Sequence, residues 1–238
     1  GGDTSPLIVV LSPESAPEAG FDPAYGWGAG EHVHEPLIQS TLTVTNSDLT
    51  IGYDLATSVE SSEDGLTWTV AIRDDVSFTD GEPLTAEDVA FTYNTVKAES
   101  SVNDFTMLDY AEAVDDGTVV FHMNRPYSIW PYTMALVGIV PEHAYSPDYG
   151  QHPIGSGRYE LVQWDRGQQV ILEANPDYYG EQPEMDRVTV LFMEEDAAFA
   201  AAMAGQADVA YTSASYGEQA ISGYGLLSVA TVDNRGFN

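Results

Sequence analysis

The sequence predicts an α/β fold built on a mixed sheet, and three observations predict it. Leu66, Trp68, Val70 and Ile72 alternate with Thr67, Thr69 and Ala71, the period-two pattern of a strand that buries one face. Ala86, Val89, Ala90, Tyr93 and Val96 then recur at helical spacing and define the apolar stripe of an amphipathic helix. Two pairs of strand-like runs, 110–114 with 118–123 and 159–164 with 169–174, close on Asp115-Asp116-Gly117 and Asp165-Arg166-Gly167, turns that favour hairpins.

Taken in order, Leu7 to Leu11 is a continuous apolar run between Pro6 and Pro13, which predicts a central strand covered on both faces. Residues 14–30 are rich in Pro, Gly and Ala and carry Phe21, Tyr25 and Trp27, so they read as a long loop bearing aromatic rings. Val33, Leu37, Ile38 and Leu42 approximate helical spacing and predict a helix over 31–41, with Pro36 tolerated in its first turns. After strand 66–72, Asp74-Asp75 and Thr79-Asp80-Gly81 supply turn chemistry around a short Val76–Phe78 segment. Thr85 caps the next helix, with Glu87 and Asp88 facing its free N–H groups and positive dipole end. A short helix is expected within 128–136 and a strand at 187–193. Glu194-Glu195-Asp196 opens an Ala-rich helix that runs through Met203 and stops at Gly205. Residues 209–211 and 226–232 read as late strands.

Composition narrows the function. The 238 residues, 43% apolar and 19% charged, suffice for a sizeable core and one or two domains. Thirty-eight acidic residues against seven basic give a net charge of −31, a surface that repels nucleic acid and anionic lipid. It fits a solvated acidic exterior, a high-salt habitat or cationic solutes. Without cysteine the chain has no disulfide, thiolate zinc site or thiol nucleophile. It shows neither a membrane-length apolar run nor an opening signal peptide, and so reads as a mature chain.

The residues around the predicted strand and helix also carry a resemblance. Glu63-Asp64-Gly65-Leu66-Thr67-Trp68, Ile72-Arg73-Asp74-Asp75-Val76 and Phe78-Thr79-Asp80-Gly81-Glu82-Pro83-Leu84-Thr85-Ala86-Glu87-Asp88-Val89 resemble the hallmark of the peptide- and nickel-binding extracellular solute-binding proteins of ABC importers. Glu35-Pro36-Leu37, Ile139 to His143, Pro153 to Tyr159, Asn175 to Gly180 and Gly205 to Asp208 agree in order, so the resemblance spans nearly the whole chain. Arg158 departs from it, standing where proline is expected.

The resemblance implies a class II periplasmic-binding-protein-like lobe of two subdomains: residues 1–30 with 175–238 carrying the sheet, and residues 31–174 inserted. It also implies that the sequence stops at the entry to a hinge, without the second lobe. An apolar strip near 226–232 would then be left exposed and favour a dimer. Gly1 to Ser5 is similar to the small polar leader behind a lipidated cysteine, which implies anchoring at the extracellular face of the membrane or a periplasmic location. The expected function is capture of a small solute, a peptide first and a nickel or other metal chelate second, and its delivery to an ABC permease, without a cofactor.

Candidate contacts are Tyr25 and Trp27 in the long loop, Tyr211 after a late strand, Arg235 at the hinge entry as a partner for a ligand carboxylate, and Trp130. His32 and His34 are the alternative metal ligands, although residues two apart diverge on a helix and do not chelate there. A hydrolase is the distant alternative: Ser156 is flanked by glycines but lacks the spacing of a nucleophile elbow, and no Gly-rich phosphate loop with a lysine occurs.

Overall fold

The computed structural model describes residues 6–25, 36–100, 103–223 and 226–227. Two sheets organise them. The first has five strands in the order β11-β1-β10-β9-β8: Val209–Ala210 (β11), Leu7–Leu11 (β1), Arg187–Phe192 (β10), Gln169–Ala174 (β9) and Tyr159–Asp165 (β8). β1 runs parallel to β10 on one side and β11 on the other, while β9 and β8 add antiparallel, so the sheet is mixed and β1 is an interior strand, second from the edge.

Alternation along β1 divides its side chains between two layers. Ile8 and Val10 pack with Ala198 and Ala201 of α3 (Glu195–Met203), and Leu7, Val9 and Leu11 pack with Phe21, Leu37, Ile38, Val188 and Phe192 on the other face. α3 ends where Gly205 adopts φ +70, the left-handed position that glycine fills without a Cβ clash.

The second sheet, β4-β5-β7-β6, is wholly antiparallel: Ala56–Ser61 (β4), Thr67–Ile72 (β5), Thr118–Met123 (β7) and Leu108–Asp115 (β6). α1 (Ala86–Glu99) lies on its inner face. All five residues of the predicted stripe are buried, among them Val89 and Tyr93 completely, and each large one contributes about 1.5–3 kcal/mol of burial. Tyr93 meets Phe105, Phe121 and Trp130 at ring-centroid distances of 4.7–6.4 Å. A two-stranded ribbon, β2 (Thr43–Thr45) with β3 (Ile51–Tyr53), packs against the short helix α2 (Trp130–Met134). Helix α4 (Ala214–Gly223) follows β11.

Three sequence expectations are corrected. Residues 36–41 are not helical: their backbone accepts hydrogen bonds from Gly157 at Ile38 (2.8 Å), Tyr159 at Leu37 (3.0 Å) and Ile139 at Ser40 (2.9 Å). The apolar residues that read as one helical stripe serve different cores, Ile38 under the five-stranded sheet and Leu42 under the four-stranded one. Second, the hairpin of β8 and β9 belongs to the five-stranded sheet, paired from Arg187–Glu173 to Leu191–Gln169, so a boundary at residue 174 cuts through that sheet. Third, Leu226 and Leu227 lie in no strand; residues 228–232 of that expected strand fall outside the described residues.

The two sheets are joined where residues 36–42 and 153–159 pass each other. A Cβ on Gly155 would stand 2.0 Å from the Ile38 carbonyl oxygen, and one on Gly157 would stand 2.3 Å from that of Leu37. Only glycine allows so close an approach, which is the physical reason for the Gly155-Ser156-Gly157 motif. Ser156 is fully buried and its hydroxyl donates to Ser40 Oγ at 2.9 Å, so this serine serves the crossing.

Candidate ligand-binding site

The three parallel strands end together. Leu11 is level with Phe192 and Val10 with Ala210, so the carboxyl ends of β1, β10 and β11 open onto one edge of the sheet. Open α/β sheets bind ligands outside this edge, where the loops leave the strands. Here the edge is continued by the backbone N–H of Met193 on the Leu11 carbonyl (3.0 Å) and that of Tyr211 on Val10 (2.9 Å). α3 begins at the same edge behind Glu194, with Glu195 and Asp196 in its first turn.

Tyr211 stands just beyond β11 with 55% of its surface exposed, an aromatic face available to a ligand. Tyr25 is also exposed, at 44%, but sits beside the C-terminal turn of α1, its hydroxyl 3.5 Å from Glu99. The loop before it is held by Asp22, whose carboxylate accepts the Ala24 N–H (2.9 Å) and the Tyr145 hydroxyl (2.8 Å). Burial raises the Asp22 pKa, an effect these two hydrogen bonds partly offset.

Below the edge, on the sheet face away from α3, lies an apolar cavity of about 300 Å³ between Val9, Leu11, Val188, Val190 and Phe192 and the opposite wall of Phe21, Leu37 and Leu136. Pro23 and Pro36 also line it. Gln39 is the buried polar group there, its amide donating to the Phe21 carbonyl (2.8 Å) and the Tyr149 hydroxyl (3.3 Å). Phe21 and Gln39 were not legible as site residues. A lone glutamine in an apolar run was the available signal.

Of the sequence candidates, Trp130 is corrected: its ring is fully buried among Tyr93, Phe105 and Phe121 and presents no surface to a ligand. Trp27, His32, His34 and Arg235 lie outside the described residues. Among the described residues, no group of three or more His, Asp or Glu could hold a metal ion. Arg158, the departure from the resembled pattern, sits 5.8 Å from the Tyr178 ring, and its carbonyl accepts the Asn175 N–H at 2.8 Å.

A family model, that of the bacterial extracellular solute-binding proteins, family 5 (middle region), matches residues 50–235. The chain belongs to this family. Protein XP55 of Streptomyces lividans is 33% identical over 208 residues, covering 82% of this family 5 chain and 37% of XP55. Oligopeptide-binding protein AppA of Bacillus subtilis is 31% identical over 187 residues, covering 72% and 34%. The family 5 chain therefore spans less than half the length of these relatives. Its fold superposes on AppA in complex with a nonapeptide with a TM-score of 0.81 at 28% identity, over 92% of this chain and 46% of AppA. With NikZ of Campylobacter jejuni in complex with Ni(L-His) the TM-score is 0.83 at 26% identity, over 92% and 45%.

Proposed function

We propose that this chain is one lobe of the solute-binding component of an ABC importer and that its solute is a peptide, handed to a permease on the outer side of the membrane. The observation that carries the reading is the shared fold with nonapeptide-bound AppA over 92% of the chain, in a family of extracellular solute-binding proteins. The level carboxyl ends of β1, β10 and β11, with Tyr211 exposed beside them, supply one wall of a cleft. A lobe of this kind divides into a sheet-bearing subdomain, with both the β1 and the β8–β11 segments, and an inserted subdomain holding the four-stranded sheet. Tyr25 and Tyr211, with Trp27 and Arg235, provide aromatic and cationic contacts to the solute. The protein works in the periplasm or tethered by lipid at the cell surface.

Closure of a two-walled cleft is a population shift driven by contacts to both walls. The 238-residue chain alone therefore binds peptides much more weakly than the whole protein. Calorimetry of the whole protein with a peptide library, followed by Tyr211→Ala, tests the reading: peptide binding weakened several-fold by the substitution supports it. Failure of every peptide to bind, or equally tight binding by the short chain, overturns it.

A second reading is favoured by the likeness to NikZ bound to Ni(L-His): the solute is a nickel chelate, held in part by His32 and His34. Titration with nickel and histidine separates the two, because a stoichiometric site lost on His32→Ala/His34→Ala belongs to this reading alone.

A further inference from the structure

The inserted part of the fold carries an exposed apolar surface whose residues do not line the cavity below the strand ends. Leu49, Tyr53, Ile129 and Tyr132 are each between 44% and 69% exposed. They come from two elements that are packed together. Ile129 and Tyr132, three residues apart, mark one side of α2 and the turn that enters it. The Tyr132 hydroxyl donates to the Leu49 carbonyl at 3.0 Å, which sets the tip of the β2–β3 ribbon against α2. Tyr53 is paired directly with Thr43, so their side chains share a face of the ribbon, and the Thr43 hydroxyl donates to the Pro131 carbonyl at 2.6 Å. Tyr53 thus stands on the α2 side as well.

The backbone adds an independent observation. Leu49 has φ +66 and is the sole non-glycine residue in the left-handed region among the described residues. The turn is closed by the Leu49 N–H on Asn46 (2.8 Å) and the Thr50 N–H on Asp48 Oδ1 (3.0 Å). This position suits glycine or asparagine; leucine there carries backbone strain and projects an apolar side chain into water. Folding of the turn gains nothing from either, so both costs point to use of the side chain elsewhere.

We propose that Leu49, Tyr53, Ile129 and Tyr132 form a protein-docking surface, and that its occupant is a neutral or basic protein surface presenting apolar side chains; resting on the importer reading, that protein is the permease. Charge selects the occupant. A second copy brings another −31, and an anionic lipid surface is repelled in the same way. A partner with a basic rim is attracted, and apolar contacts at the centre of such a patch carry most of the affinity.

The test uses the whole protein with its permease in nanodiscs and the variants Leu49→Asn and Ile129→Ser/Tyr132→Ser. Leu49→Asn relieves the strained position, so a merely structural role for Leu49 predicts a raised melting temperature with permease binding unchanged. The docking role predicts an unchanged or raised melting temperature together with permease binding weakened at least 5-fold, and at least 10-fold for the double variant, while peptide affinity measured by calorimetry stays as in the wild type. Unaltered permease binding in correctly folded variants overturns the proposal. So does wild-type self-association in sedimentation, or binding to phosphatidylglycerol vesicles, that the variants abolish, since those outcomes assign the surface to a second copy or to lipid. If peptides fail to bind the wild type, the importer reading fails; the docking surface is then judged by whether the variants lose capture of a basic protein, cytochrome c, at low salt, and undiminished capture overturns it.

Discussion

One carboxylate oxygen of Asp88 accepts the backbone N–H of Thr85 at 2.9 Å, and the other accepts that of Glu142 at 3.0 Å. A buried side chain inside the hallmark stretch thus closes the capping box of α1 and ties the Pro141-Glu142 turn, 54 residues away in sequence, to the same helix end.

Replacing Asp88 by alanine removes one half of the capping box, leaving the Thr85 and Glu142 amides without this acceptor. The expected loss is about 2–4 kcal/mol in urea unfolding, from two backbone donors left without their acceptor. Asp88→Asn, which keeps a single acceptor oxygen, falls between wild type and alanine. A loss below about 0.5 kcal/mol for alanine would show that water replaces both bonds.

Gly155 and Gly167 separate steric from conformational cost. Alanine at 155 meets the Ile38 carbonyl at 2.0 Å and forces the crossing apart, for an expected loss above about 3 kcal/mol or failure to fold. Alanine at 167 meets nothing within 4 Å, though its φ is +70, so the expected loss is only about 1 kcal/mol. Equal melting temperatures for the two variants would refute the close-approach account.

His143 Nε2 lies 2.7 Å from Asp80 Oδ2, across the hallmark turn. Hydrogen bonding to Asp80 raises the histidine pKa above its ordinary 6.5, with the charges of Asp80, Asp88 and Glu82 adding to the shift and partial burial opposing it. The folded state therefore holds the proton more tightly than the unfolded chain does. This stabilisation is complete below pH 6.5 and is lost as pH rises through the higher folded value. His143→Gln should flatten the fall in melting temperature over that window while changing little above it, and an unchanged slope would exclude the pair as its source.

Tyr93 Oη and Trp130 Nε1 are buried without a hydrogen-bond partner, in rings 5.6 Å apart. Tyr93→Phe removes an unpaired polar group and keeps the ring, so stability is expected to stay level or rise by up to about 1 kcal/mol. Trp130→Ala, by contrast, empties the centre of the aromatic cluster and costs about 3–5 kcal/mol. A loss above about 1 kcal/mol for Tyr93→Phe would reveal a partner for the hydroxyl.

The elements with strong period and clean ends were legible in the sequence: β5, α1, both hairpins, β10 and α3 stand within a residue or two of expectation. Residues 43–61 hid three strands, because their Thr, Ser and Gly leave little hydrophobic contrast and two of the strands are only three residues long. Residues 36–41 misled because spacing cannot tell one buried stripe from apolar residues shared between two cores. The site was legible only in part. The exposure of Tyr211 follows from its place just after a strand, whereas the burial of Trp130 depends on three aromatic residues brought to it by α1, β7 and the segment before β6. The strain at Leu49 left no mark in sequence, since a leucine after Ser47-Asp48 reads as an ordinary apolar residue.

Among the described residues the chain crosses between its two sheets twice, and the two crossings are bonded to one another. A body hung on one strand of backbone can spin about it, but a body hung on two that are stapled side by side resists torsion. The sheets should therefore move as one rigid block, with any swing confined to joints elsewhere. A protease that severs one crossing would leave the halves attached through the other, so nicking there should loosen the block without releasing a fragment under native conditions.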